Sequence, residues 1–488
     1  MKKLLGFSIF LVFVLIASLT AEAKVTLPAI FSDNMVLQQN TQVNVWGKAA
    51  PGEKVTVKAS WLDKAVTAKA AANGKWTVKL KTPKAITNQS VTVSGENEIT
   101  INNVLIGEVW LCTGQSNMEF PVSRHPDVKW NTGMLNEAEE LKDADYPEIR
   151  LFHVKHQLAH EGELDDCEGE WLVCNPKNLY DFSAVGFVFG RKLYKELKMP
   201  VGLIQSTWGG THAESWTKLD VMKKNPLYAD VLKDFALEGV KQQKNYCKVP
   251  ATLWNGMIHP ILGYTIKGNI WYQGESNVYN VSQYSNRLVA MVAEWRRKWG
   301  RNFPFYFTQI APFDYATWNV PSEVGEHVGA YLRDEQRKSM DRIENSGMAV
   351  ILDVGEVEQI HPVRKEKVGE RLGLMALAEV YNMKGFEYKS PVFERMEVDD
   401  DKAVIYFKDL YYGLTSYGKP LHLFEIADES KVFHPAEAYV DEERDVVVVS
   451  SKYVRKPKAV RYAFKNYVEP ELFSLSGLPV SSFRTDNW

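Results

Sequence analysis

Cysteine is scarce in this chain, with four in 488 residues: Cys112, Cys167, Cys174 and Cys247. Their spacing carries no zinc signature. A chain of this size also has no need of disulfides to hold a core. Cys167 and Cys174 flank "EGEWLV" and are close enough to close a small loop, but the sequence leaves their state open. A surplus of one charge is missing too. Lys and Arg total 58 against 61 Asp and Glu, the net charge is −3, and no basic block of five or more residues occurs. That excludes the electrostatic footprint of a nucleic-acid binder. Internal repeats and low-complexity tracts are absent. So, after the first two dozen residues, is any apolar run long enough to cross a bilayer.

The first residues are the exception. "MKKLLGFSIFLVFVLIASLTAEAKVTLP" begins with Lys2-Lys3, runs apolar from Leu4 to Leu19, and reaches Ala21-Glu22-Ala23. A positive start, an apolar core and small residues around a cleavage point form a secretory signal peptide. Residues 1–23 are therefore expected to be removed, leaving a periplasmic or secreted protein with no integral membrane segment.

Three textures follow. Residues 24–105 alternate in period two and are broken by "APGE" and "ANG", which predicts an N-terminal β-sandwich domain. Residues 106–382 alternate short apolar strands ("EVWLCT", "VGLIQST", "GNIWYQG", "MAVILDV") with helical patterns such as "SAVGFVFGRKLYKELK". In the pattern "KEKVGERLGLMALAEVY", Val368, Leu372 and Met375 share one face. The alternation predicts an α/β catalytic domain around a mainly parallel sheet covered on both sides. Residues 383–488 return to strand texture and predict a C-terminal β domain.

In open α/β sheets, functional groups gather just past the carboxyl ends of the strands. Four predicted strands end in polar clusters: Gly114-Gln115-Ser116-Asn117, Thr207-Trp208-Gly209-Gly210-Thr211, Gln273-Gly274-Glu275-Ser276-Asn277, and Glu356 to Pro362. Taken singly, each is an ordinary turn. Together, at one edge, they supply what acyl transfer needs. Ser116 is the candidate nucleophile, and a hydroxyl must have a base to act as one. His361 is that candidate base, with Pro362 expected to fix the start of the next helix. Glu358, three residues earlier, is the local candidate to orient the imidazole, and Glu275 is the distant alternative. The Ser116 N–H, the Gly209 or Gly210 N–H, and the amide of Gln273 or Asn277 are candidate oxyanion donors. "GQSNM" is not the G-x-S-x-G elbow, so an α/β-hydrolase is not indicated. His153, His156 and His160 have helical metal-binding spacing, but "EIRLFHV" reads as a strand, which would turn His153 and His156 to opposite faces.

The stretches "GQSNMEF", "TWGGTHAESW", "WNGMIHPILGYTIKGNIWYQGESN" and "IHPVRKEKVGERL", with "LPAIFSDNMVLQQN" near the start and "AVRYAFKNYVEPELFSLSGLPVSSFRTDNW" at the end, resemble the sialate O-acetylesterase family of the SGNH hydrolase superfamily. The resemblance implies a flavodoxin-like three-layer α/β/α core with additional small all-β domains. It implies Ser116 as nucleophile, His361 as base, and Gly210 and Gln273 within the oxyanion blocks. In the resemblance, many relatives carry aspartate just before "IHP", where this chain has Gln359; Glu358, Glu275 or no carboxylate at all then stands behind His361. The implied activity is hydrolysis of acetyl esters on sugar hydroxyls without metal or organic cofactor. The expected substrate is 9-O-acetylated sialic acid, with Arg124 as candidate partner for its carboxylate. Acetylated xylan is the alternative substrate, and a glycan-binding protein with a degenerate site the alternative function.

Overall fold

The computed structural model describes residues 24–128, 130–233, 246–318 and 325–488. The expected signal peptide lies outside the described residues.

The central sheet follows the strand order Ser346–Ala349, Phe305–Thr308, Gly268–Tyr272, Glu98–Gly114, Val201–Thr207, Tyr146–His153 and Trp171–Cys174. Neighbours are parallel except the last pair. From the middle strand the chain moves out to Tyr146–His153, returns to Val201–Thr207, then crosses to Gly268–Tyr272 on the other side. The carboxyl end of Glu98–Gly114 is thus the point where the winding reverses, the crevice in which such sheets place their sites.

Both faces are buried, so the middle strand shows no polar alternation. Val109 and Leu111 join one core with Leu288, Trp295 and Leu332, from the helices Tyr284–Trp299 and Val328–Met340. Trp110 and Cys112 join the other with Phe189 and Leu372, from the helices Ala184–Leu197 and Lys365–Glu379. Val368, Leu372 and Met375 are all buried there, as their spacing predicts. Ser183 caps the Ala184–Leu197 helix by accepting the Gly186 N–H at 3.0 Å.

The middle strand belongs to two sheets. Its first part pairs antiparallel with Ile86–Ser94 and parallel with Val36–Gln38, within the N-terminal β structure. Its last part, from Glu108, pairs with Val201–Thr207. The change of texture near residues 105 and 106 therefore falls inside one continuous strand, where burial on one face gives way to burial on both. At the other end, the strands after residue 383 form small antiparallel sheets. They dock through Arg333, wholly buried on the Val328–Met340 helix, which donates to Ser482 Oγ at 3.1 Å and to the Asn466 carbonyl at 3.2 Å.

All four cysteines are free thiols, Cys167 and Cys174 included. Burial pushes both of these up to about 12, and raises Cys112 further. Thiolates are the reactive form, so these three should be inert. Titration with an aromatic disulfide under non-reducing conditions is expected to find four thiols in denaturant. In the native protein only Cys247 should react readily. Two thiols in denaturant would mean that Cys167 and Cys174 are bridged.

Candidate active site

Gly114 determines where the site sits. Its φ is +141°, and a Cβ there would lie 2.1 Å from the Tyr272 carbonyl oxygen. Only glycine allows the two strand ends to approach so closely. The Gln115 N–H then donates to that same carbonyl at 3.0 Å. The Gln115 side-chain oxygen accepts the Gly274 and Ser276 N–H groups at 3.2 and 3.3 Å, pinning the "QGESN" loop. Ser116 follows as the first residue of the single-turn helix Ser116–Glu119, 9% exposed.

His361 arrives from 245 residues away, on the loop between Ser346–Ala349 and the helix Lys365–Glu379. Its Nε2 lies 2.8 Å from Ser116 Oγ. Pro362 does not begin the helix, which starts three residues later at Lys365. The loop is held instead by backbone contacts. The His361 N–H donates to Gln359 Oε1 at 3.2 Å, and the Ile360 carbonyl accepts from Asn117 Nδ2 at 3.0 Å. The imidazole packs near Trp130 and Phe120, with ring centroids 5.0 and 6.3 Å away. Burial pushes the imidazole down to about 3, and the Lys365 ammonium contributes in the same direction. His361 is thereby kept in the unprotonated form that can accept a proton.

The orienting carboxylate expected at Glu358 is not found at the imidazole. Glu358 is exposed, and His361 Nδ1, though buried, has no hydrogen-bond partner among the described residues. Three residues of loop turn Glu358 outward while the backbone clamps draw His361 inward. Glu275 is buried, but its Oε1 accepts from Asn117 Nδ2 at 2.6 Å and its Oε2 has no partner among the described residues. Desolvation pushes its carboxyl above the usual range. Beside it lies a residue that motif reading missed. Lys365 is wholly buried and its Nζ donates to Asn117 Oδ1. Burial pulls this ammonium down to about 7, against the opposing attraction of Glu275. The signal was present in the spacing: Lys365, Val368, Leu372 and Met375 occupy one apolar helix face, and a lysine on such a face requires partners.

The oxyanion candidates separate by their hydrogen bonds. Gly209 packs against Ser116, where a Cβ would come within 3.2 Å of the serine Cβ. Its N–H, however, already donates to Glu119 Oε2 at 2.5 Å. Gly210, at φ +72°, is the other donor of that turn. The Gln273 amide has spent both hydrogens, on the Thr211 carbonyl at 3.1 Å and Asn277 Oδ1 at 2.6 Å, so the expectation that it serves an oxyanion fails on donor count. Asn277 Nδ2 spends one hydrogen on Glu214 Oε2 at 2.9 Å and keeps another.

His156 lies 2.7 Å from Glu119 Oε1 and stacks on Trp208 at 4.0 Å, so it buttresses the Trp208–Gly210 turn. Arg124 is 70% exposed in its side chain and pairs with Glu137 at 3.2 Å. Among the described residues, no group of three or more His, Cys, Asp or Glu side chains is arranged to hold a metal ion. What is assembled at the sheet edge is a buried hydroxyl on a neutral imidazole, with N–H groups nearby, which is suited to acyl transfer.

Comparison with known proteins agrees with that chemistry. Residues 106–338 match the family described as carbohydrate esterase, sialic acid-specific acetylesterase. The chain is 30% identical over 426 residues to the sialate O-acetylesterase of Mus musculus, covering 76% of each. To the sialate O-acetylesterase of Homo sapiens it is 29% identical over 440 residues, covering 81% of this chain and 78% of the relative. Its structure is similar to that of a carbohydrate acetylesterase from Xanthomonas citri, with a TM-score of 0.84, 33% identity, and coverage of 95% of this chain and 100% of that one.

Two measurements test the geometry. A base with a depressed pKa keeps its function as pH falls, so the acid limb of kcat/KM is expected well below pH 6.5. Glu358→Gln is expected to leave kcat within about threefold, as for an exposed residue away from the chemistry, while Glu275→Gln should lower it at least tenfold by disturbing a buried network. The reverse ranking would restore Glu358 as the orienting group.

Proposed function

We propose, from the premise that this chain belongs to the sialate O-acetylesterase family of carbohydrate esterases, that it removes acetyl groups from sugar hydroxyls by a Ser116–His361 mechanism. The observation that carries this reading is the 2.8 Å contact between Ser116 Oγ and His361 Nε2 at the reversal point of the sheet. Ser116 Oγ attacks the acetyl carbonyl as His361 Nε2 takes the serine proton. The N–H groups of Ser116 and Gly210 and the second hydrogen of Asn277 Nδ2 hold the oxyanion. The tetrahedral intermediate collapses, and the departing sugar oxygen receives the proton from His361. Water, deprotonated in turn by His361, attacks the acetyl-enzyme and releases acetate. With no carboxylate on Nδ1 among the described residues, Ser116 and His361 work as a dyad.

The relatives named as sialate O-acetylesterases support an O-acetylated sialic acid as the substrate, of which the 9-O-acetyl ester is the expected form. One observation favours a second reading, a neutral acetylated polysaccharide such as xylan. Arg124, the candidate partner for a sialate carboxylate, is already occupied by Glu137. Trp130, 39% exposed beside His361, instead offers a flat face to a sugar ring. Under either reading we place the protein outside the cytoplasm, with a mature N-terminus at Lys24 that N-terminal sequencing of exported material would identify.

Ser116→Ala is expected to cut kcat about a million-fold without unfolding the protein, the scale of nucleophile loss in other serine hydrolases. A serine-directed phosphonate should label Ser116; labelling elsewhere, or a loss of only a few-fold, would overturn the assignment. Acetate release from a panel of O-acetylated sialosides and acetylated xylo-oligosaccharides decides the substrate. Binding to glycan without release from any acetylated member would point to a degenerate site.

A further inference from the structure

Lys365 is placed where a lysine costs most. It is wholly buried, and it is the first residue of the 15-residue helix Lys365–Glu379, where the helix dipole repels a cation. Its Nζ lies over the Phe120 ring at 4.6 Å and the Tyr272 ring at 5.6 Å, and donates to Asn117 Oδ1. Ammonium is a donor with no acceptor capacity, whereas the two ends of a side-chain amide differ. As an ammonium, Lys365 therefore takes the oxygen end of Asn117, the contact present in the structure. The nitrogen end must then face the other way, where its two hydrogens meet the Ile360 carbonyl at 3.0 Å and Glu275 Oε1 at 2.6 Å. Ile360 precedes His361, and Asn117 follows Ser116. A single amide thus ties the backbone carrying the base to the turn carrying the nucleophile.

We propose that Lys365 is a positioning residue of the esterase site, which by fixing the orientation of the Asn117 amide holds the Ile360–His361 segment against Ser116 and keeps Glu275 facing the same network. The proposal rests on the reading of Ser116 and His361 as the reacting pair. Lys365 touches neither of them. It also presents its charge to the imidazole. The groups facing His361 are Ser116, the Phe120 and Trp130 rings, and Lys365. Facing Lys365 are Glu275 from the loop after Gly268–Tyr272, Glu356 from the loop that carries His361, and Glu366 from its own helix. Removing the cation should make His361 easier to protonate.

The test is a double-mutant cycle on the full-length protein, with Lys365→Met, Asn117→Ala and both together, followed by acetate release across pH. Each single change is expected to lower kcat at least tenfold with KM within threefold, because the base is displaced while the sugar contacts remain. The double mutant should be no worse than the weaker single mutant, since both changes break one link. Lys365→Met should also move the acid limb of kcat/KM to higher pH. Lys365→Gln, which keeps a donor but no charge, should recover part of kcat while the limb stays displaced. If Lys365→Met does not yield folded protein by circular dichroism, Asn117→Ala and Lys365→Gln carry the same comparison. Multiplicative losses, an unmoved acid limb, or a rise in KM with kcat intact would overturn the proposal. Phosphonate labelling of wild-type Ser116 runs alongside: failure there removes the Ser116–His361 reading, whereas failure of the variants with labelling intact removes only the role of Lys365.

Discussion

The close approach of Gly114 to the Tyr272 carbonyl is the constraint on which the site depends. Two parallel strands must end together, with no side chain between them, for the chain to turn at Gln115 and bring Ser116 out over the edge. The Gln115 N–H satisfies the Tyr272 carbonyl, and its side chain satisfies the next loop, so the strand end and the "QGESN" loop are fixed by one residue. The same strand, followed backward, enters the N-terminal β structure without a break. The position of Ser116, the proposed nucleophile, is thereby coupled to packing well outside the central sheet. The strand that ends at Gly114 is thus hydrogen-bonded along its length in both sheets.

Below the serine the structure holds a buried polar cluster in which no charge is fully compensated. Asn117 stands between Lys365 and Glu275 rather than letting them meet. Two unit charges about 4 Å apart attract by about 4 kcal/mol at an effective dielectric of 20. Desolvation costs several kcal/mol for each ion, so attraction across an intervening amide repays only part of it. The shifts follow: the lysine falls to about 7 and the carboxyl rises, each toward its neutral form. Such a cluster is a poor source of stability. Its worth lies in direction, because an amide clamped by a donor on one side can have only one orientation on the other.

Much of this was readable in the residues, and what was not has a physical reason. Ser116 and His361 were legible because each sits in a cluster of small polar residues after an apolar strand, and strand ends in a parallel sheet share an edge. Three of the four helices around the core, Ala184–Leu197, Tyr284–Trp299 and Lys365–Glu379, were legible from period. Glu358 misled because proximity in sequence was taken for proximity in space: on a loop, three residues suffice to point a side chain outward. Gln273 misled because its type was right while its hydrogens were already committed, which only the neighbours reveal. Lys365 was overlooked because a lysine near a helix start reads as solvated, although its apolar companions at 368, 372 and 375 mark a buried face. The continuity of the strand across residues 105 and 106 was hidden because composition changes there while backbone pairing does not.

That no carboxylate among the described residues reaches His361 Nδ1 changes what orientation and charge stabilisation mean in the proposed mechanism. In a triad, one group both fixes the imidazole and stabilises the imidazolium. In this site the two tasks fall to different parts. Orientation comes from the backbone on either side of the ring, through Gln359 and Asn117, and from the Trp130 and Phe120 rings. Charge stabilisation has to come from further away, and a depressed imidazole is a weak base unless something offsets the charge it acquires. Glu275, raised toward its neutral form by burial and with no partner for its Oε2 among the described residues, joins the network through Asn117. Lys365, already pulled toward its neutral form by burial, opposes the imidazolium less than a fully charged ammonium would at the same place. On the proposed Ser116–His361 mechanism, the balance among these three groups, rather than any single hydrogen bond, sets how readily His361 accepts the proton of Ser116.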